Sequence, residues 1–122
     1  MGFLAVALGG AIGAMGRYAI SLIPAKTAFP ILTLITNFLG AVLIGFIVGL
    51  VSKRDDLSPS VVLFWKTGVC GGFTTFSTFS LEAFSLIENH QIALGGLYIV
   101  VSVGLCLVGI MLGRQLSMLM TG

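Results

Sequence analysis

The sequence predicts an all-α integral membrane protein, one domain of four transmembrane helices with the third helix broken. Three observations carry that reading. Charge is scarce: 8% of the 122 residues are Asp, Glu, Lys or Arg, against 57% hydrophobic. An average soluble domain has about 25% charged residues, so no soluble surface of this size can be built from this composition. The apolar residues fall into four long segments, each of about 20 residues or more, enough to cross ~30 Å of hydrocarbon at ~1.5 Å per residue. Within the third segment, Gly68 to Glu82 carries a glycine pair and five hydroxyls where an ordinary membrane helix would carry aliphatic side chains.

The first span runs roughly from Gly2 to Ile23, closed by Pro24 and Lys26. It has no basic leading stretch, so a cleaved signal peptide is not expected. Pro30 opens the second span, roughly Ile31 to Val51. The cluster Ser52–Pro59 is the most polar in the chain and leaves the bilayer. The third span runs roughly from Val61 to Leu86, with Trp65 and Lys66 near its start as interfacial anchors. Glu88 to Gln91 make a short solvated turn, and the fourth span runs roughly from Ile92 to Leu112, with Arg114 marking its end. No tandem repeat is evident.

The net charge of +2 is too small and scattered to suggest nucleic acid. Cys70 and Cys106 both lie in apolar segments and read as small buried hydrophobes, with no metal-ligand spacing. Lys53, Arg54, Arg114 and a snorkelling Lys66 fall on the side of the N-terminus; Lys26 and Arg17 fall on the other. This bias puts the N-terminus weakly in the cytoplasm, and is small enough to let the chain insert both ways. Two oppositely inserted copies then pair about an axis in the membrane plane, the symmetry that inverted-repeat transporters build into one chain. Gly9, Gly10, Gly13 and Gly16 on the first span, and Gly40, Gly45 and Gly49 on the second, let helix backbones approach closely in lipid.

The chemistry concentrates in the third span, Gly68 to Glu82. Gly71-Gly72 invites the backbone to leave helical geometry. Thr74, Thr75, Ser77, Thr78 and Ser80 follow, interleaved with Phe73, Phe76 and Phe79. Hydroxyls and freed carbonyls at membrane depth need partners, and irregular backbone is tolerated there only when buried in protein or lining a wet cavity. The stretch therefore reads as an ion-handling site. Phe76 and Phe79 share a helix face by spacing. Aromatic stripes are usually packing, yet ring edges are electropositive, and rings offering edges to a passage favour an anion. Uncharged Ser, Thr and Asn donors beside them replace part of its water shell without holding it too tightly. Asn37 on the second span needs a partner, either a neighbouring helix or the passage. Tyr98 and Ser102 lie one turn apart on the fourth span. Glu82 is either an intramembrane functional carboxylate or a wet residue at the mouth of the span. Carbonyls freed at Gly71 and Thr74, doubled by a symmetric partner, would make a four-oxygen cage of the kind that coordinates Na⁺ in broken membrane helices.

With these residues in view, the chain resembles the bacterial fluoride channel family, the Fluc or CrcB proteins. The likeness runs the whole length: four spans, a glycine-rich first span ending in Arg17-Tyr18, Asn37 followed by Gly40, and above all the run Gly71 to Ser80, GGFTTFSTFS. The resemblance implies a homodimer of antiparallel, dual-topology subunits with two fluoride pores, in a bacterial inner membrane. It implies that Phe76 and Phe79 are pore phenylalanines and Asn37 the pore asparagine. Ser77, Thr78 and Glu82 then form a polar track, Tyr98 and Ser102 are fourth-span pore residues, and Arg17 is the basic residue of the vestibule. Gly71 and Thr74 carbonyls hold a structural Na⁺. Fluoride ion, sodium ion, lipid and a second copy of the chain are the partners, and the activity is passive export of F⁻ with no catalysis. The main rival, a small dual-topology multidrug exporter, needs a carboxylate in the first span, and there is none. An accessory subunit explains the glycines but not the clustered hydroxyls and rings, and no catalytic set converges for a membrane enzyme.

Overall fold

The computed structural model describes residues 1–121. Helix α1 spans Gly2–Ser21 and α2 spans Ile31–Lys53. The third segment comes in pieces: α3 (Pro59–Val62), a π-helical stretch (Leu63–Cys70), α4 (Gly71–Phe73) and, after a bend, α5 (Ser77–Glu88). Helix α6 spans Ile92–Thr121. Among the described residues there is no strand, and α1, α2 and α6 are long and apolar enough to cross a membrane. Two pairings build the body: α1 lies along the π-helical stretch and α4, and α2 lies along α6.

Local chemistry explains the element ends. Pro59 starts α3 at the position where its missing N–H costs nothing, and the Ser58 hydroxyl accepts from the Val61 N–H at 3.3 Å. Helix α5 closes with His90 in the left-handed region at φ 65°. Its N–H donates to Ile87 O at 3.1 Å and the next N–H, Gln91, reaches back to Leu86 O at 2.8 Å, the paired bonds of a left-handed helix stop. In the loop after α2, the Arg54 guanidinium grips the Asp56 carboxylate at 2.8 Å and holds it below the usual carboxylate range. That support is present above the ordinary carboxylate range and is lost as pH falls through the lowered value; both groups are exposed, so it is weak.

The break is not where the glycines suggested. Gly71 and Gly72 are helical, with Gly71 at φ −64°, ψ −37°. The chain departs at Thr74, whose ψ is 159°, and re-enters helix at Ser77. The glycine pair permits a break without forcing one; what Gly72 supplies is closeness. A Cβ there would sit 2.5 Å from the Gly10 carbonyl oxygen on α1. Gly9 and Gly68 make a similar crossing, a Cβ on Gly68 falling 2.8 Å from the Gly9 Cα. Gly71 points the other way, into open space with nothing within 4 Å. Replacing Gly72 by Ala should therefore cost about 1–3 kcal/mol of overpacking, while Gly71→Ala leaves the isolated chain unstrained. Thermal unfolding of the detergent-solubilised protein checks this: equal loss in both variants contradicts the packing account.

Two boundaries also differ from expectation. The first helix stops at Ser21 instead of Ile23, and the fourth runs on past Leu112 and Arg114 to Thr121. Arg114 can mark a membrane surface without ending a helix, and the extension is held where Ser117, fully buried, packs against Gly49 of α2. The π-helical stretch was not anticipated. It coincides with the close crossing at Gly9 and Gly68, and such wider turns recur at functional sites.

Candidate functional site: a bent, hydroxyl-bearing segment between two cavities

At the bend the backbone loses its own partners, and side chains replace them. Thr75 N–H donates to Asn37 Oδ1 at 2.8 Å, and Asn37 Nδ2 donates to Thr75 O at 3.0 Å. The Asn37 amide thus pairs with the exposed peptide edge as a neighbouring strand would. Arg17 Nε donates to Gly72 O at 3.2 Å. Thr74 returns both its N–H and its hydroxyl to Cys70 O, at 3.0 and 2.8 Å. Thr75 Oγ1 accepts from Thr78 N–H at 3.1 Å and so caps α5. Among the described residues, the Gly71 and Thr74 carbonyls accept no hydrogen bond. The hydroxyls bend the chain here because they offer the backbone an alternative to its helical partners.

A groove of about 430 Å³ runs beside the bend. Its wall gathers Asn37 from α2, Gly71, Thr74 and Phe76 from the bent segment, Phe79 from α5 and Ser102 from α6. The Phe76 and Phe79 ring centroids lie 5.8 Å apart with planes inclined at 49°. Phe79 is buried at 9% exposure, whereas Phe76 is 78% exposed and stands over the groove's open side. Ser102 Oγ is buried with no hydrogen-bond partner. An orphaned buried hydroxyl costs about 1–3 kcal/mol, and this one lies just behind the groove wall.

Tyr98, which lines neither cavity, packs between Phe79 of the groove and Glu82 of a second cavity. It is fully buried, its ring lies 5.1 Å from Phe79 and 5.4 Å from Phe29, and its hydroxyl donates to Glu82 Oε1 at 3.0 Å. Glu82 in turn lines a cavity of about 490 Å³ with Thr27, Thr33, Ser85 and Asn89, more polar than the first. Groove, ring pair, Tyr98 and Glu82 therefore follow one another along the molecule.

Of the residues singled out from sequence, the structure brings Asn37, Gly71, Thr74, Phe76, Phe79 and Ser102 onto one wall, with Tyr98 and Glu82 next in line. Ser77, Thr78 and Arg17 line neither cavity. Ser77 Oγ lies 3.4 Å from Thr75 Oγ1, and Thr78 contributes its backbone N–H to the cap. Thr75, outside the expected set, is the residue that joins the clamp to the cap. The signal was available: Thr75 stands three residues before Thr78, the spacing of a capping side chain at a helix start. Lys66, expected at the interface, lines the groove.

These features define a class: a multi-pass helical membrane protein with a bent, hydroxyl-bearing segment and a pair of phenylalanine rings beside a groove. The chain belongs to the CrcB family, since the family described as "CrcB-like protein, Camphor Resistance (CrcB)" matches residues 4–114. Its relatives include a protein of Ruminiclostridium cellulolyticum named fluoride-specific ion channel FluC, 44% identical over 117 residues, 93% of this chain and 90% of that protein. Another of that name, from Agrobacterium fabrum, is 46% identical over 118 residues, 91% and 94% of the two chains. A third, fluoride-specific ion channel FluC 1 of Nitrobacter hamburgensis, is 42% identical over 120 residues, 93% and 95%.

Proposed function

We propose that this protein is a fluoride-selective channel of a bacterial inner membrane, passing F⁻ passively down its electrochemical gradient and so lowering cytoplasmic fluoride. The observation that carries the reading is the groove wall, where Asn37, the two rings and the unpartnered Ser102 hydroxyl meet with no carboxylate among them. A small, strongly hydrated anion needs its water replaced by donors that do not bind too tightly. Uncharged amide and hydroxyl groups and electropositive ring edges meet that need. Tyr98 and Glu82 continue the route, the Tyr98 hydroxyl donating to Glu82 Oε1, and Ser77 and Thr78 on α5, outside both cavities in the single chain, are the remaining members of its polar track. Arg17, at the vestibule edge, keeps the Gly72 carbonyl engaged and off the path of an anion. The names of the relatives agree with this reading. The exporter alternative lacks its carboxylate in α1.

In this reading the working unit is an antiparallel homodimer of dual-topology subunits, four spans each, with two pores. Phe76, 78% exposed in the single chain, then gains its cover from a second copy closing the groove. The Gly71 and Thr74 carbonyls, free of hydrogen bonds, fit a hard cation such as Na⁺ shared across the two-fold axis, where it would join the subunits and offset the field of passing anions. Replacing Na⁺ by a large organic cation is expected to lower the thermal stability of the detergent-solubilised dimer. Stability indifferent to Na⁺ contradicts the cation's role.

The function itself is tested in liposomes. Purified protein is expected to release trapped fluoride and retain trapped chloride. Equal release of both, or of neither, contradicts it.

A further inference from the structure

Lys66, read from the sequence as an interfacial anchor, also has a place in the groove. It lines the same groove as Asn37, Phe76, Phe79 and Ser102, and among the described residues it is the only charged side chain on that wall. Other cations are engaged: Arg17 donates to the Gly72 carbonyl and Arg54 is paired with Asp56. Lys66 makes no ion pair among the described residues. It sits in the π-helical stretch, five residues before Gly71, within about 8 Å of it along the axis. Cys70 and Thr74 follow it at four-residue intervals on the same wall, so the charge faces the approach to the bend.

We propose that the Lys66 ammonium is the charge that collects anions into the groove, raising the local concentration of fluoride before Phe76 without taking part in discrimination between halides. The inference rests on the groove being the fluoride path. A flexible four-carbon stem keeps the ammonium wet while its root lies against apolar wall. Low-dielectric walls focus the field of a single charge and raise encounter rates with the opposite charge. Because the ammonium is hydrated and mobile, it attracts at a distance and does not trap. Selectivity stays with the uncharged donors and rings deeper in.

The test is fluoride efflux from liposomes carrying wild type, Lys66→Met, Lys66→Gln or Lys66→Arg, at low and at high ionic strength set with an impermeant salt. Screening shortens from ~30 Å at 0.01 M to ~3 Å at 1 M. Both neutral variants are expected to lose about three- to tenfold in flux at low ionic strength and to come within about twofold of wild type at high ionic strength. Lys66→Arg keeps wild-type flux, and the fluoride-to-chloride ratio is the same in all four. Neutral variants that match wild type at low ionic strength overturn the proposal. So does a deficit independent of salt, or one shared by Lys66→Arg, since either indicates a structural role. Failure of wild type to release fluoride is read separately and overturns the channel reading itself.

Discussion

Replacing Phe76 by Ile is expected to cut fluoride flux by about two- to thirtyfold while the protein stays folded and assembled. A ring edge facing an anion is the electrostatic counterpart of a ring face under a cation, an interaction of about 0.5–2 kcal/mol. Loss of one ring then removes ~0.5–2 kcal/mol, and each 1.36 kcal/mol is about tenfold in rate. Isoleucine keeps the bulk and loses the quadrupole. Phe76 is the cleaner test because its ring is 78% exposed in the chain, so its loss leaves no hole in the core. Phe79 packs against Tyr98, and Phe79→Ile is expected to cost both flux and stability. Liposome efflux paired with size-exclusion chromatography separates the two effects. Normal flux in both variants returns the rings to plain packing.

Substitution of Asn37 is expected to have the next largest effect, through the bend itself. Its amide both donates to and accepts from Thr75 at 3.0 and 2.8 Å. Alanine removes both partners of the part-buried Thr75 peptide edge, about 1–3 kcal/mol in all. Aspartate keeps the acceptor for the Thr75 N–H but sets a carboxylate oxygen against the Thr75 carbonyl, and adds a negative charge to an anion's path. Asn37→Asp should therefore lose flux at least as severely as Asn37→Ala, and at least as much stability. Efflux and thermal unfolding, measured on both, check the order. Wild-type flux in Asn37→Asp removes the residue from the pathway.

Much of this was legible in the sequence because lipid leaves few choices. Hydroxyls in an apolar segment must bend it or bond across it, and those of Thr74 and Thr75 bond within their own segment at the bend. Gathering Asn37, Phe76, Phe79 and Ser102 on one wall follows from the same pressure. The exact site of the bend was not legible from Gly71-Gly72, because a glycine that admits a neighbouring backbone and one that turns the chain look alike in a sequence. Only the neighbour decides, and for Gly72 it is the Gly10 carbonyl. Lys66 escaped for a related reason. A lysine near the start of a span is usually a headgroup anchor, and the π-helical turn that accompanies its place on the groove wall leaves no mark in hydropathy. Arg114 was mistaken for a helix end because charge marks the bilayer boundary, and a helix can cross that boundary intact.

The reversal potential of the reconstituted protein in a planar bilayer, with fluoride on one side and an equal concentration of chloride on the other, bears most directly on whether rings and hydroxyls stand in for one ion's hydration shell. A potential far from zero, of the sign set by fluoride movement, is the result this account requires. A potential near zero means that the groove does not tell the two halides apart, and the account of the bent segment fails with it.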